Sequence, residues 1–359
     1  MTRCWRFGWR CCWRLGWQSA VWAWLAAGVC LTLTGCFAPR PGLLNVSYDP
    51  TRELYRELNA HFADQQAQQT GTRPTIRQSH GGSSSQARAV IDGLPADVVT
   101  LALWSDIDAL VQRGLIAPGW EDRLPHRSLP FTSTVIFLVR RGNPKRIADW
   151  PDLARPGVSV ITPNPKTSGN GKLSFLAAWG AVVVRGGSEL EALALVRGLY
   201  ANVPVLDTGA RGATVTFVQK GLGDVLIAWE NEALAELARH PDKLEAVYPP
   251  VSLRAEPYVA WVDANVQRRG TAALAEDYLR FLYTPAAQEC AAKHGYRPSD
   301  AAVLARHADR FPTLTFFSIT DVMHGSGRPA NPGDWGVAQE RFFAEGAIFD
   351  QLFTRDRKR

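Results

Sequence analysis

Three loops rich in glycine, serine and threonine are the parts of this sequence best suited to chemistry. They span residues 79–85, 163–170 and 207–214. Each follows a β-like run and opens a helix-like run, where backbone N–H groups lack an intrahelical partner. Such N–H groups, together with hydroxyls, bind an anion without any formal positive charge, and glycine lets the backbone approach it closely. A single loop of this kind is typical of a capped helix in any α/β protein, but three in one chain favour an anion site.

Enzyme signatures do not accompany these loops. The sequence has no Gly-x-Ser-x-Gly and no His-Glu-x-x-His. Asn170-Gly171-Lys172-Leu173 resembles the end of a P-loop, but no Ser or Thr follows the lysine. A nucleophile needs a base within reach and a third orienting group, and nothing specifies these for Ser83 and His80. The sequence therefore predicts a binding protein and not an enzyme.

The elements that must position the loops follow an alternating pattern. Short β-rich runs alternate with amphipathic stretches, which predicts an α/β protein with mainly parallel sheets. In such sheets ligands bind at the carboxyl ends of strands, beside helix N-termini. The three loops lie at such positions. The predicted strands include residues 43–47, 75–78, 97–101, 131–139, 158–162, 203–206 and 225–228.

The first 35 residues predict an export signal. A positive segment containing four arginines and no acid precedes a run at 20–33 that is nearly all apolar or small. Leu33-Thr34-Gly35-Cys36 resembles the bacterial lipobox, in which cleavage precedes the cysteine and its thiol is acylated. The alternative is an uncleaved anchor, since residues 15–37 approach spanning length. Either interpretation predicts a periplasmic protein held to a membrane, through a lipid on Cys36 in the first case.

The charge balance and the cysteine content argue against several classes of function. The whole chain has 40 Lys and Arg against 34 Asp and Glu, and removing the signal leaves 36 against 34. This balance gives no basis for nucleic-acid binding, which needs a concentrated basic face. Cys290 is the only cysteine after Cys36. We therefore expect no internal disulfide, no metal site and no cofactor, with Cys290 packed as a small hydrophobic residue.

About 320 residues remain after the signal. This length exceeds what a single hydrophobic core usually organises, and it predicts two compact lobes. The β-like run at 131–139 and the run at 256–262 are the expected crossings between them. Lobe 1 is accordingly predicted at 36–136 and 256–359, and lobe 2 at 137–255.

Several long segments of the chain form a recognisable signature. They include Ser79-His80-Gly81-Gly82-Ser83, Arg140-Arg141-Gly142-Asn143-Pro144-Lys145, Gly223-Asp224-Val225-Leu226-Ile227-Ala228-Trp229-Glu230-Asn231-Glu232 and Gly346-Ala347-Ile348-Phe349-Asp350-Gln351, besides residues 43–54, 96–103, 161–169 and 206–212. In order, and over nearly the whole chain after the signal, these segments resemble the prokaryotic sulfate-binding protein family of sulfate and thiosulfate ABC transporters. The resemblance implies a type II periplasmic binding protein fold, in which two α/β lobes with a hinge close around one oxyanion in the cleft.

The resemblance also implies the residues of the site. Asp49 and Arg211 match residues that support the site without holding the ion. Asn170 stands where the family has the last glycine of Ser-Gly-Gly, and Ser84-Ser85 replaces a frequent Gly-Lys pair. The implied sulfate ligands are Ser83, Ser168, Gly169, Asn170, the N–H of Ala210 and the indole of Trp229.

The function implied is that of the sulfate-binding component of an ABC importer. Such a protein is expected to be a monomer that delivers its ion to permease subunits with a cytoplasmic ATPase. The second loop and the Asp207-Thr208-Gly209 segment also resemble the thiosulfate-binding branch, so a thiosulfate preference is the first alternative. An anion-sensing receptor with the same fold is the alternative from another class.

Overall fold

The computed structural model describes residues 42–354. The predicted signal at 1–35 and the predicted lipidation site Cys36 lie outside the described residues. The described chain forms two β-sheets flanked by helices, so the predicted α/β class is confirmed. Within residues 42–354, no helix combines the length and apolar character needed to cross a bilayer.

The strands and the main helices follow one another along most of the chain. The strands are β1 (Gly42–Tyr48), β2 (Thr75–Gly81), β3 (Val98–Leu101), β4 (Phe131–Arg140), β5 (Val160–Pro163), β6 (Leu206–Asp207), β7 (Val225–Trp229), β8 (Leu244–Val247), β9 (Val251–Ala255), β10 (Tyr258–Trp261), β11 (Arg297–Pro298) and β12 (Thr315–Phe317). The helices are α1 (Arg52–Thr70), α2 (Ser83–Ile91), α3 (Trp104–Gln112), α4 (Gly169–Val183), α5 (Glu189–Ala201), α6 (Ala210–Thr214), α7 (Glu230–Arg239), α8 (Asp263–Arg269), α9 (Ala272–Phe281), α10 (Pro285–Lys293), α11 (Ala301–Arg306), α12 (Ile319–His324), α13 (Asp334–Ala338) and α14 (Ile348–Thr354).

The first sheet has the order β10-β3-β1-β2. β1 runs parallel to both β2 and β3, while β10 returns antiparallel along β3. Six consecutive residues of β1, from Leu43, are buried, as expected for a parallel strand covered on both faces. The short turn after β1 contains Pro50, at a position where the start of a helix tolerates proline. The helix α1 ends at Thr70, and Gly71 caps it in the left-handed conformation that glycine adopts at helix ends.

The second sheet is built around β4, the longest strand. Its order is β12-β9-β4-β7-β5-β6, and β8 and β11 also pair with β4. β4 is antiparallel to β7, with Val135 opposite Trp229, whereas β5 is parallel to both β6 and β7. The parallel strands β5 and β6 end at Pro163 and Asp207, so the second and third loops leave this sheet from the same edge.

The C-terminal segment packs on the second sheet. β12 pairs with β9, and Lys166 Nζ in the second loop donates to the carbonyls of Phe343 and Ala344. An aromatic cluster joins α4 to this segment, with the rings of Trp179 and Phe342 5.0 Å apart. Residues 315–317, which were placed in lobe 1, therefore pair with the sheet of residues 131–255. The lobe boundaries themselves stay a prediction.

The sequence patterns predicted the longer strands more accurately than the short ones. The strand predicted over 225–228 is β7, but the strand predicted at 203–206 begins only at Leu206. Strands β8, β9 and β12 were not predicted. Their segments are short, and the strands that hold them lie far away in sequence, so no local pattern specifies their pairing.

Candidate functional site

The three glycine-rich loops meet around one small cavity. Ser83, Gly169 and Ala210 are each the first residue of a helix, α2, α4 and α6. The cavity has a volume of about 10 Å³, far below the roughly 300–1,000 Å³ of drug-sized pockets, and therefore admits only a small ligand. The cavity is lined by Tyr48, Asp49, Pro50, Gly81, Gly82, Ser83, Ala102, Ser168, Gly169, Asn170 and Ala210.

The cavity wall supplies hydrogen-bond donors and no cationic side chain. No Lys, Arg or His belongs to this lining set. The first N–H groups of a helix have no intrahelical acceptor and carry the positive end of the helix dipole. The arrangement can therefore hold an anion through neutral donors, as the loop compositions predicted.

Ser83 is held in place by its own hydroxyl. This hydroxyl donates to Asp106 Oδ2 at 2.5 Å and accepts from the backbone N–H of Ala102 at 2.9 Å. Because its single proton is committed to Asp106, the group that Ser83 offers to an anion here is its backbone N–H at the start of α2.

A buried ionic network lies behind Ser83 and joins α3 to α4. Lys172 Nζ donates to Ser84 Oγ at 2.8 Å, and Ser84 donates to Asp106 Oδ1 at 2.9 Å. The Lys172 and Asp106 side chains are each 6% exposed, and their charged atoms lie 3.9 Å apart. Burial lowers the pKa of Lys172 from its ordinary value. Sequence reasoning missed this network, although Lys172 stood in the rejected P-loop match.

The second loop presents its backbone to the cavity. Ser168 caps α4 by accepting from the N–H of Gly171 at 3.3 Å. Asn170 is buried, and its Oδ1 accepts from Ser174 at 3.4 Å, so the side chain that replaces a family glycine is tied to its own helix. A Cβ on Gly169 would lie 2.8 Å from Cβ of Ala102 and 3.1 Å from Cβ of Ser83, which shows how closely the second loop approaches the end of β3 and the start of α2.

Trp229 occupies the end of β7 and is completely buried. Its ring lies 5.0 Å from that of Tyr48, which lines the cavity, while Trp229 itself is not among the lining residues. The indole Nε1 has no hydrogen-bond partner within the described part of the chain. A buried N–H without a partner costs free energy. The role of this donor as a ligand stays a prediction.

The two predicted supporting residues lie on different sides of the site. Asp49 lines the cavity, with its Oδ1 3.2 Å from the guanidinium of Arg52. Burial raises the pKa of Asp49 above its ordinary value. Arg211 faces an adjoining groove, where it pairs with Glu53 at 3.1 Å. Ser83, Ser168, Gly169, Asn170 and Ala210 thus surround the cavity, while their roles as ligands stay a prediction.

Glu232 is a further ionisable group in that groove, and no sequence pattern assigned it a role. Its Oε2 is buried and finds no hydrogen-bond partner among residues 42–354. Burial, followed by the negative charge of Asp49, raises the pKa of Glu232 from 4.5 to about 8.

This pKa predicts that the protein loses stability as pH rises. Between pH 4.5 and about 8 the folded protein binds a proton on Glu232 that the unfolded chain has already released. The free energy of unfolding should therefore fall by up to about 1.4 kcal/mol per pH unit over this window from Glu232 alone. Urea unfolding at several pH values would show a flatter profile in Glu232→Gln. The exposed Glu345→Gln is the control and should keep the wild-type slope; equal slopes in all three proteins would contradict the assignment.

Comparisons with known proteins find relatives over most of the chain. The model of the bacterial extracellular solute-binding protein family matches residues 43–297. The sulfate-binding protein of Escherichia coli K12 is 52% identical over 329 residues, covering 90% of this chain and 97% of that protein. The thiosulfate-binding protein of Pseudomonas aeruginosa is 48% identical over 333 residues, covering 92% and 97%.

A solved structure extends the likeness to three dimensions. The sulfate-binding protein SubI of Mycobacterium tuberculosis superimposes with a TM-score of 0.75 at 34% identity, covering 84% of this chain and 99% of that one. The type II periplasmic binding protein fold implied by the sequence is thereby confirmed. The chain belongs to the bacterial extracellular solute-binding proteins and, among them, to the family of sulfate- and thiosulfate-binding proteins.

Proposed function

We propose that this protein is the extracytoplasmic sulfate-binding component of an ABC importer. The observation that carries the proposal is a cavity bounded by three helix starts and lined by no cationic side chain. Relatives named sulfate-binding proteins support the choice of ion. In this proposal the ligands are the backbone N–H groups of Ser83, Gly169, Asn170 and Ala210, the N–H or hydroxyl of Ser168, and the Trp229 indole.

A site that contacts the ion only through donors selects sulfate over phosphate. In this proposal Asp49, which also lines the cavity, supports the site without holding the ion. Sulfate is fully ionised at neutral pH and offers only acceptors, so every donor around it can be satisfied. Phosphate retains a proton near neutral pH, and a buried proton without a partner costs about 1–3 kcal/mol. Stripping water from a dianion is expensive, and charge-assisted hydrogen bonds at roughly 1.5–3 kcal/mol each offset that cost together with the helix dipoles.

Transport requires the bound ion to change the shape of the protein. We propose that the two sheets are the cores of two lobes, with Asp49 and Ser83 on the first and Ser168, Gly169, Asn170, Ala210 and Trp229 on the second. An ion held by both favours the closed arrangement, which permease subunits with an ATPase would then recognise. Pairing of β12 with β9 favours assigning residues 315–317 to the second lobe instead of the first.

The anchoring part of the proposal concerns residues 1–36. The lipobox-like tetrapeptide favours cleavage before Cys36 and a lipid on its thiol, which would hold the protein at the periplasmic face of a membrane. Nothing in the site requires a second copy of the chain, and we propose that the protein works as a monomer.

Thiosulfate is the second candidate ligand, and Asn170 is the residue that favours it. A buried side chain at this position replaces a glycine and changes the shape of the wall beside the ion. The relative from Pseudomonas aeruginosa, named as a thiosulfate-binding protein, is almost as similar as the sulfate-binding one.

A calorimetric titration of the anion-stripped protein tests the proposal. We expect sulfate to bind roughly 5- to 150-fold more tightly than phosphate, because an unpaired buried proton costs about 1–3 kcal/mol. Thiosulfate binding more tightly than sulfate would assign the protein to the second candidate. Comparable sulfate and phosphate affinities would contradict the donor-only site.

A further inference from the structure

Two packed helices far from each other in sequence carry metal-binding side chains on facing surfaces. α1 contributes Glu57 and His61, and α10 with its C-terminal cap contributes Cys290 and His294. Both pairs have the spacing i, i+4, which places the two side chains on one face of a helix. Neither pair is a metal-binding motif in the sequence alone, because two potential ligands do not make a site without partners from another segment.

The fold brings these side chains within coordinating distance. One oxygen of Glu57, one ring nitrogen of His61 and the sulfur of Cys290 all lie within 4.8 Å of one another. His294 Nε2 lies 2.9 Å from Glu57 Oε2, so a fourth potential ligand already contacts the cluster. Cys290 is 4% exposed while His61 is exposed, so the cluster has a buried floor and an open entrance.

We propose that Glu57, His61 and Cys290, with His294 as a fourth ligand, form a binding site for a divalent metal ion of the Zn²⁺ class. Zn²⁺ prefers four ligands drawn from thiolate sulfur, imidazole nitrogen and carboxylate oxygen, which is the set present here. A thiolate beside imidazoles also disfavours Mg²⁺ and Ca²⁺, which take oxygen ligands. None of the four residues lines the anion cavity, so this site is separate from the proposed sulfate function.

Lys293 is the group that a metal ion would displace. Its Nζ donates to both Glu57 oxygens, at 2.8 and 3.0 Å, and its side chain is 64% exposed. Coordination needs the thiolate, so binding Zn²⁺ releases the Cys290 proton to the solvent, and the two negative ligands then balance the dication. The ammonium of Lys293 can swing into water at little cost because its side chain is mostly exposed.

A bound ion would tie the start of the chain to its C-terminal half. α1 lies directly after the first sheet strand, whereas α10 follows the return from the second sheet. An ion that binds only the folded protein stabilises it by mass action, more strongly as its concentration exceeds the dissociation constant. A bound ion would therefore raise the free energy of unfolding of the protein.

The test is a titration of the chelator-stripped protein with ZnCl₂ by calorimetry and with CoCl₂ by absorption spectroscopy. We expect one equivalent of Zn²⁺ to bind and the cobalt complex to show a thiolate-to-cobalt charge-transfer band. His61→Ala and Cys290→Ser should each weaken Zn²⁺ binding by at least about 100-fold, since even the outer partners of metal ligands are worth roughly 10- to 100-fold. Cys290→Ser should also remove the charge-transfer band.

Two further variants sharpen the result. Lys293→Gln removes the competing cation and should strengthen Zn²⁺ binding. His307→Ala is the matched control, because His307 also contacts a glutamate, Glu289, at 2.7 Å, but neither residue belongs to the cluster of Glu57, His61 and Cys290. This variant should leave Zn²⁺ binding unchanged. Binding of Zn²⁺ that is undetectable, that persists in both ligand variants, or that gives a cobalt complex without the thiolate band would overturn the proposal.

Discussion

Gly82→Ala is expected to weaken sulfate binding by at least about 100-fold while leaving the protein folded. A Cβ on Gly82 would lie 2.3 Å from the carbonyl oxygen of Thr167, closer than non-bonded atoms approach. That oxygen is backbone in the second loop, which also accepts from Ser85 Oγ at 3.3 Å, so it cannot move aside alone. The two loops would have to separate, and losing even two charge-assisted hydrogen bonds at about 1.5 kcal/mol each gives this factor.

The measurement is a calorimetric sulfate titration together with urea unfolding. Gly82 has φ −58°, which alanine adopts without strain, so the free energy of unfolding should change little. Gly81→Ala is the matched control in the same loop, because its Cβ would meet only the end of the flexible Gln86 side chain, at 3.1 Å. It should bind sulfate nearly as well as wild type. A Gly82→Ala protein with wild-type affinity would show that binding does not need the close approach of these loops.

Trp229→Phe is expected to weaken sulfate binding by roughly 10- to 150-fold, the equivalent of one charge-assisted hydrogen bond of about 1.5–3 kcal/mol. Phenylalanine keeps an aromatic ring against Tyr48 and removes only the indole N–H and part of the ring volume. In the free protein that N–H has no partner within the described chain, so removing it relieves a desolvation cost. This gain offsets part of the free energy lost from packing. We therefore expect a larger effect on sulfate affinity than on the free energy of unfolding.

A second tryptophan provides the control for this experiment. Trp179 on α4 is also buried, and its Nε1 likewise has no partner among residues 42–354, but it packs in the aromatic cluster with Phe342 and Phe343 instead of beside the cavity. Trp179→Phe should leave sulfate affinity unchanged. If both variants lost affinity equally, a general loosening of the second sheet would explain the result and the indole would not be a ligand.

Much of the chemistry of the site could be predicted because it is a property of composition. Loops made of glycine and hydroxyl residues at helix starts offer donors wherever they meet, so the donor character follows from the residues alone. Some strands of the second sheet could not be predicted from the sequence. β8 and β9 hold their positions through pairing with β4, and a sequence pattern of four or five residues contains too little information to specify a distant partner.

Several roles depended on contacts that no local pattern contains. The Ser83 hydroxyl is directed to Asp106 because α3 packs beside α2, and Lys172 reaches the same carboxylate from α4. Arg211 pairs with Glu53 across the groove that Glu232 also lines, and burial raises the pKa of Glu232. These partners are separated by up to 158 residues in sequence, and burial sets their energies, so only the assembled structure reveals them.

The sequence by itself determined the α/β class, the three donor loops and, through its resemblance, the family. These depend on periodicity, on composition and on motifs that are local to each segment. The tertiary structure alone decided which donors face the cavity, where the C-terminal segment packs and that Glu57, His61 and Cys290 meet. The physical reason is that the direction of a side chain and the cost of burying its charge depend on neighbours that come together only when the chain folds.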